Sequence, residues 1–404
     1  MHVTLHITTG CNLKCQYCYS PPTNRNDMSQ QTAFQSIDFI SENYPINTGI
    51  IFFGGEPLLK KDLIREMIAY SHTKSGYFHY KVTTNGILLD SDFLEYANKV
   101  NLQVSISIDG NEQAHNTFRK FPDSSATFGI LNEKMDLLLH YQPYAKVLMT
   151  VSPETLVHYA NSVEFLLKKG FKYLIVSLDF SSKNWNELSL KELKRQYERI
   201  STIYETHTLD EEKFYFSPFE MKLASHIRKN NFECYQCHLA QEQISVAFDG
   251  QIYPCVQFVQ DGISNQKYAI GSVKTGIDRS MQNQLYQEAK TQMDSCLQCD
   301  YNPRCNNKCS CLSWQLTGTI NQISPLVCET ERILIPIVDK LGEKLFKKAS
   351  PMFIQKHYYA VYPILSMIED NTSLNAVPKF GFLKEKIHLS ADFDAPLSDF
   401  KEYM

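Results

Sequence analysis

Three cysteines fall within eight residues near the start of the chain, as Cys11-Asn-Leu-Lys-Cys15-Gln-Tyr-Cys18. Three thiolates on one tight loop can bind three irons of a cubane and leave the fourth iron without a protein ligand. Structural zinc sites take four ligands, usually as two separated pairs, so this spacing suits them poorly. The remaining cysteines are also clustered. None lies between 19 and 233, and nine of the 12 lie between 234 and 328. They run Cys234-x2-Cys237, Cys255, Cys296-x2-Cys299-x5-Cys305-x3-Cys309, Cys311 and Cys328. Thiols kept only for packing would be scattered, whereas grouping of this kind points to metal. Two zinc sites are the competing reading of this second array.

Three polar motifs accompany the first cluster. Gly54-Gly55-Glu56-Pro57 offers two glycines that let backbone approach a ligand closely, and a carboxylate that can accept from an ammonium group. Thr83-Thr84-Asn85-Gly86 is the second. Ser107-Ile-Asp109-Gly110 is the third, with His115 and Arg119 beyond it, and an arginine suits a carboxylate bidentately. Taken singly, each motif is a turn and Arg119 is a surface residue.

The elements that must position these residues alternate. Strand patterns at 2–8, 49–53, 79–83, 102–108, 146–151 and 173–179 are separated by helical patterns at 29–44, 60–74, 90–99, 126–141 and 156–169. Short apolar strands each followed by a crossover helix imply an α/β fold with a parallel sheet buried on both faces. In such sheets sites lie at the carboxyl ends of the strands. The first cysteine loop and all three motifs fall there, each directly after a strand, so jointly they are a far stronger signal than any one. A polar helix at about 186–206 closes or bridges this region. Beyond it regular periodicity fades, and Gln243 to Cys255 reads as a hairpin with an Asp-Gly turn. Residues 331–404 read as a helical tail with aromatic content.

Bulk properties exclude several functions. The chain has 404 residues, which suits about two to three domains. Its formal net charge of −4 leaves no basic surplus for phosphates, which counts against nucleic acid as a partner. No run of 18 apolar residues is present and no export signal is visible, so no membrane span is expected. The expected compartment is a reducing cytoplasm, where disulfides are rare.

The Cys-x3-Cys-x2-Cys loop, with Tyr17 in the aromatic position before the last cysteine, resembles the signature of the radical S-adenosylmethionine superfamily. The resemblance implies a [4Fe-4S] cluster on Cys11, Cys15 and Cys18 whose open iron chelates the amino and carboxylate groups of S-adenosylmethionine. One electron then breaks the sulfonium bond to give methionine and a 5′-deoxyadenosyl radical, which abstracts a hydrogen atom. The protein supplies orientation and a dry cavity. Gly54 to Pro57 resembles the family's GGEP motif, which binds the amino group of the cofactor. On the same resemblance the cofactor-binding positions are Tyr17, Gly55, Glu56, Asn85, Ser107, Asp109 and Arg119, with Ser107 and Arg119 toward the ribose and carboxylate. A main-chain contact to the adenine is expected near 176–179.

The second array resembles the SPASM extension, a seven-cysteine C-terminal domain of many radical enzymes that modify peptides. All seven positions match, and Cys234 can supply the eighth ligand that two four-ligand clusters need. The family pattern assigns Cys234, Cys237, Cys255 and Cys309 to a first auxiliary [4Fe-4S] cluster, and Cys296, Cys299, Cys305 and Cys328 to a second. Three clusters result and Cys311 is left over, as a spare buried thiol. Without Cys234 as a ligand, the first auxiliary cluster has an open iron. The implied architecture is a partial (β/α)6 TIM-like barrel with a small C-terminal iron–sulfur SPASM domain and a helical tail. Its expected divisions are 1–208, 209–330 and 331–404.

Members of this group modify ribosomal peptides or proteins, with an electron donor of flavodoxin or ferredoxin type. The whole chain resembles maturases of cysteine-repeat peptides, which join a Cys sulfur to a carbon and form a thioether. The alternative is an anaerobic sulfatase-maturing enzyme that makes formylglycine. Members of that family carry an Asp directly after the cysteine matching Cys255, whereas this chain has Val256. A third reading is a cysteine-rich binding module without catalysis. No general base is assignable. A first strand beginning at residue 2 leaves no room for an N-terminal leader-binding domain, so leader recognition is expected in the tail, the acidic stretch near 209–212 or a separate protein.

Overall fold

A computed structural model describes residues 1–18, 25–228, 238–259, 266–291, 293–305 and 309–358. The chain divides into two units, Met1–Met352 and Phe353–Met404. The first begins with β1 (His2–Thr8), α1 (Gln30–Asn43), β2 (Thr48–Gly54), α2 (Lys61–Ser71), β3 (Phe78–Thr84), α3 (Ser91–Lys99) and β4 (Leu102–Ser107). It continues through α4 (Glu112–Phe118), α5 (Phe128–Tyr141), β5 (Lys146–Val151), α6 (Tyr159–Lys169), β6 (Tyr173–Leu178), α7 (Glu187–Leu209), β7 (Tyr215–Phe216) and α8 (Ser217–Arg228). The cysteine-rich part holds β8 (Gln243–Val246), β9 (Gln251–Tyr253), β10 (Gly271–Ser272), β11 (Gly276–Ile277), α9 (Arg279–Lys290), α10 (Asp294–Leu297) and α11 (Ser310–Thr317). Two helices follow, α12 (Pro325–Lys347) and α13 (Pro351–Tyr358).

The strands form one sheet in the order β11-β10-β9-β8-β1-β2-β3-β4-β5-β6-β7. Strands β1 to β6 pair in parallel, each with the next. On β1 the residues Val3, Leu5 and Ile7 are fully buried on one face, and Thr4, His6 and Thr8 are buried on the other. A parallel sheet covered on both sides requires this. Local chemistry ends the helices where the pattern expects. The Ser29 hydroxyl accepts the Thr32 N–H at the start of α1, Asp90 accepts from Phe93 at the start of α3, and Gly170 ends α6 at φ 110°.

Two pairings go beyond the six expected strands. Strand β7 adds in parallel to β6, and β8 adds in parallel to β1. The expected hairpin is present as antiparallel β8–β9, and β9–β10–β11 extend it. The hairpin is therefore an extension of the main sheet. Its turn is legible locally, but its pairing with β1 joins residues about as far apart as His2 and Gln243, and no local pattern encodes that.

Helix α12 packs on α7 and α8 through a buried face of Leu334, Ile335, Val338, Leu341 and Leu345. The tail expected from residue 331 thus begins inside a helix that belongs to the first unit. Of the second unit, α13 is described as far as Tyr358, and the rest of the aromatic tail lies outside the described residues. No described helix is long and apolar enough to cross a membrane.

Candidate active site

The first cysteine loop leaves the end of β1 and is clamped to the end of β2 by backbone. The Gly55 N–H donates to Thr8 O at 2.8 Å and the Glu56 N–H to Gly10 O at 2.8 Å. Gly54 has φ 143°, and a Cβ there would lie 2.2 Å from Thr8 O. A Cβ on Gly55 would lie 2.2 Å from Gly10 O. The glycines were expected to admit a ligand; in the structure the close approach they permit is that of the cysteine loop's own backbone. The loop is also held from below. The Thr8 hydroxyl donates to Asp27 at 2.6 Å and accepts from the Gly10 N–H, and Lys60 pairs with Asp27 at 2.5 Å.

Glu56 is fully buried and accepts three hydrogen bonds. Its Oε1 accepts from the Leu58 N–H at 2.9 Å and the Thr84 hydroxyl at 2.7 Å, and its Oε2 accepts from the Asn85 N–H at 2.7 Å. Burial pushes its carboxyl up to about 7 against the pull of those donors. The carboxylate thus braces the ends of β2 and β3 against each other. Asn85, just past β3, donates from Nδ2 to Asn12 Oδ1 at 2.8 Å and lies 3.8 Å from Cys11 Sγ. Asn12 belongs to this arrangement without standing out by residue type within its loop, and Thr84, from the Thr83–Gly86 motif, joins it at the end of β3.

Past β4, Asp109 collects a second cluster. Its side chain is almost wholly buried and pairs with Arg119 Nε at 3.0 Å. It also accepts from the Tyr17 hydroxyl and from the Thr150 N–H at 3.0 Å. The Arg119 guanidinium lies over the Tyr17 ring, 5.4 Å from its centroid. Burial opposes the charge on Arg119, but Asp109 together with Tyr17 and Cys15 outweighs it, so the guanidinium stays charged. His115 hydrogen-bonds Thr127, and burial holds the imidazole neutral, pushed down to about 3. The motif after β4 thus anchors the aromatic residue of the cysteine loop. Ser107 is half-buried at the end of β4. Near the expected adenine contact, Asp179 accepts from the Ser152 hydroxyl at 3.0 Å, and its carbonyl accepts from Trp185 Nε1 at 2.7 Å.

Cys11, Cys15 and Cys18 are half-buried thiols on this anchored loop. Cys11 Sγ accepts from the Leu13 N–H at 3.4 Å. Burial pushes the Cys11 thiol up to about 12 and raises Cys15 as well, though Arg119 pulls Cys15 down. Thiols in such a setting ionise when a metal takes them, and three soft sulfur donors with backbone N–H support fit an iron–sulfur group.

In the second array Cys234 and Cys237 lie outside the described residues. Cys255 follows β9, is buried, and receives a contact from Gln243 Nε2 at 3.7 Å. Cys309 stands at the N-cap of α11. Hydrogen bonding from Cys311 is the main cause that holds the Cys309 thiol down, at about 6, against its burial. Cys296, Cys299 and Cys305 lie on one compact stretch of turns, with the Cys299 N–H on Cys296 O at 3.2 Å. Cys328, in the first turn of α12, feels the charges of both Cys296 and Cys299. The fold thus puts Cys328 within electrostatic reach of Cys296 and Cys299, and among the described residues no three His, Cys, Asp or Glu side chains converge as a site for a metal ion.

A buried ionic network stands beside that second group. Lys222 of α8 pairs with Glu331 of α12 at 2.5 Å and donates to Arg304 O at 3.1 Å. Arg304, next to Cys305, forks onto Asp339 at 2.6 and 2.5 Å.

Residues 5–166 match the family model of the Radical SAM superfamily. Among curated relatives, the cysteine-type anaerobic sulfatase-maturating enzyme of Clostridium novyi (strain NT) is 22% identical over 328 residues, covering 75% of this chain and 85% of that protein. The antilisterial bacteriocin subtilosin biosynthesis protein AlbA of Bacillus subtilis (strain 168) is 26% identical over 271 residues, covering 65% of this chain and 56% of its own length. Among solved structures, native anSMEcpe with bound AdoMet and Kp18Cys peptide superimposes with a TM-score of 0.73 at 18% identity, covering 85% of this chain and 99% of that one.

Proposed function

We propose that this radical S-adenosylmethionine enzyme is a peptide maturase that joins a Cys sulfur to a carbon of a ribosomally made precursor peptide. One observation supports the reading: beyond the strand-end loop of Cys11, Cys15 and Cys18, the chain carries a second array of nine cysteines between 234 and 328. On this reading the sheet is a partial (β/α)6 TIM-like barrel, 209–330 is a SPASM domain, and three [4Fe-4S] clusters sit on the residue sets given above. A flavodoxin- or ferredoxin-type donor supplies electrons in a reducing cytoplasm.

When bound, the first cluster and S-adenosylmethionine supply the radical that removes one hydrogen atom from the peptide. The rest is work for this chain's residues. The Glu56 brace and the Asp109–Arg119–Tyr17 anchor hold the cysteine loop at the strand ends, so that cofactor and peptide meet there in a fixed geometry. Forming a sulfur–carbon bond from S–H and C–H removes two hydrogens. One leaves as an atom, and the other leaves as a proton with one surplus electron. On this reading an auxiliary cluster on Cys234, Cys237, Cys255 and Cys309 would accept that electron.

Formylglycine formation is the second reading, favoured by the Clostridium novyi relative across three quarters of the chain. Val256, directly after Cys255, opens a short 3-10 turn and offers no carboxylate there. Anaerobic reconstitution with S-adenosylmethionine, a reductant and either a Cys-repeat precursor or a sulfatase peptide separates the readings by mass spectrometry. A product lighter by two hydrogens supports the thioether. Exchange of sulfur for oxygen in the sulfatase peptide, with the precursor unchanged, refutes it. Replacing Cys11, Cys15 and Cys18 with Ala abolishes all cofactor cleavage. Replacing the auxiliary ligands leaves uncoupled cleavage but no crosslink, and full crosslinking by such variants contradicts their role. Stoichiometric zinc with no cleavage sinks both readings.

A further inference from the structure

The amino ends of the strands, opposite the cysteine loop, carry charge and aromatic surface that the proposed chemistry leaves unused. Lys81 on β3 pairs in register with Gln103 on β4, and Lys146 on β5 pairs with Ser105, two residues along β4. Register partners in a parallel sheet point to one side, as do residues two apart on a strand, so Lys81 and Lys146 share a face and flank β4. The other face is filled, with Val82, Val104 and Val147 all buried. The lysine face is open: both lysines are half-buried and Gln103 is exposed. Among the described residues neither ammonium group has a hydrogen bond or ion pair. By contrast, Lys61 on α2 pairs with Asp90, and Lys169 on α6 pairs with Asp136 at 2.7 Å. Burial, and then the charge of Lys81, pulls Lys146 below the usual lysine range. His2 is held down by burial first, then by Lys81, the amino terminus and His79, with Glu242 acting against them. The carboxylates at the edges of this end already have partners: Glu242 lies 3.3 Å from His238, and Glu212 meets His207. The rim adds apolar surface. Ile46 before β2 is 83% exposed, Tyr77 before β3 is 66% exposed and Tyr144 before β5 is 40% exposed. Tyr77 meets His79 edge-on at 4.9 Å, and Lys172 Nζ lies 5.0 Å from the Tyr144 ring centroid. Single exposed side chains need no explanation, but apolar and cationic groups gathered at one end of a sheet mark an interaction surface.

We propose that this end of the sheet binds an acidic stretch of the substrate peptide, with carboxylates on Lys81 and Lys146 and apolar side chains against Ile46, Tyr77 and Tyr144. The inference rests on the peptide-maturase reading and names what such a peptide must carry. Two lysines that share an open face without a counter-charge repel each other, and a carboxylate between them relieves that repulsion. Aromatic rings on the rim offer contact area at low entropic cost. Along the same face Thr83, Ser107 and Thr150, all half-buried, lead on to the cysteine loop. Strand β3 has seven residues and spans about 20 Å. An extended peptide covers that distance with about six residues, so one segment sits on the lysines while another reaches the radical. An electron carrier docked here stands a full strand's length from the cysteine loop, which favours the peptide as occupant.

The test uses full-length reconstituted protein under anaerobic conditions. The probes are a fluorescently labelled peptide of Glu-Gly-Phe-Gly repeats and its Gln-Gly-Phe-Gly counterpart, with binding read by anisotropy. The parent is expected to bind the Glu peptide more tightly, and added salt to narrow the difference. Lys81→Gln with Lys146→Gln weakens the Glu peptide about tenfold, the share of two partly screened charge pairs, and leaves the Gln peptide unchanged. Lys81→Arg with Lys146→Arg keeps the affinity, which separates lost charge from lost fold. Tyr77→Ser with Tyr144→Ser weakens both peptides. Lys169→Gln, on α6, changes neither; a loss there equal to that of the double Gln variant marks general attraction and overturns the proposal. Equal affinity of the parent for the two peptides overturns it, as does a Glu-peptide affinity unmoved by the double Gln variant. If that variant slows reduction by flavodoxin while the Glu peptide binds as before, the surface serves an electron carrier and the proposal falls. The maturase reading fails separately: no crosslinked precursor in the reconstitution above, whatever the peptide affinities, removes the substrate assignment.

Discussion

Replacing Glu56 with Ala removes the acceptor of two backbone amides, Leu58 N–H and Asn85 N–H, at a position with no access to water. An orphaned buried donor costs about 1–3 kcal/mol, so the pair costs about 2–6 kcal/mol. The Thr84 hydroxyl can turn to another partner and is left out of that sum. Glu56→Gln keeps an oxygen for Leu58 and Thr84 but sets its NH2 against the Asn85 N–H. It orphans one donor and costs about 1–3 kcal/mol. Chemical denaturation followed by circular dichroism reads both losses, and equilibrium dialysis of S-adenosylmethionine reads the cofactor. Weaker cofactor binding is expected in both variants in the same order as the lost stability, because the brace acts through the loop. If Glu56→Ala unfolds within about 0.5 kcal/mol of the parent yet loses cofactor binding, the carboxylate is a direct ligand and the bracing argument fails. A second arm uses pH. Burial raises the Glu56 carboxyl from 4.5 to about 7. Between those values the folded protein holds a proton that the unfolded chain has lost, so stability falls as pH rises through that window. Glu56→Gln removes that part of the slope.

Gly55→Ala drives a Cβ to within 2.2 Å of Gly10 O, so β2 and the cysteine loop must part. Iron content of the reconstituted protein is expected to drop by about four per chain, the share of one cubane. Asp109→Ala leaves the buried Arg119 without its counter-charge, at a cost of about 3–5 kcal/mol. Denaturation and S-adenosylmethionine affinity are both expected to suffer, and an unchanged affinity would separate the anchor from the cofactor site. Lys222→Met strands the buried Glu331 carboxylate beside α12 and costs about 3–5 kcal/mol in urea unfolding. The double variant Lys222→Met with Glu331→Met recovers most of that loss, since an apolar pair replaces the ionic one.

The parallel α/β layout and the strand-end address of the first site were legible because each rests on local information. Period, capping residues such as Ser29 and Asp90, and the punctuation of Gly54-Gly55 and Asp109-Gly110 all act within a few residues. The cysteine spacing likewise spoke for itself, since loop chemistry depends on neighbours in the chain. What Glu56 does was not legible. Its residue type suggested an open ligand, whereas the meeting of β2 with β3 adds the Thr84 hydroxyl and the Asn85 N–H to the local Leu58 N–H. The same holds for β8, whose turn is local but whose partner is β1, and for the chain's reach past residue 330 in one helix. Cys311 is the sharpest case. By spacing it was the leftover thiol, and the fold buries it in the first turn of α11. Motifs record which atoms are near along the backbone. Bonds across 50 residues or more depend on how buried faces pack, and that packing is decided by the whole chain at once.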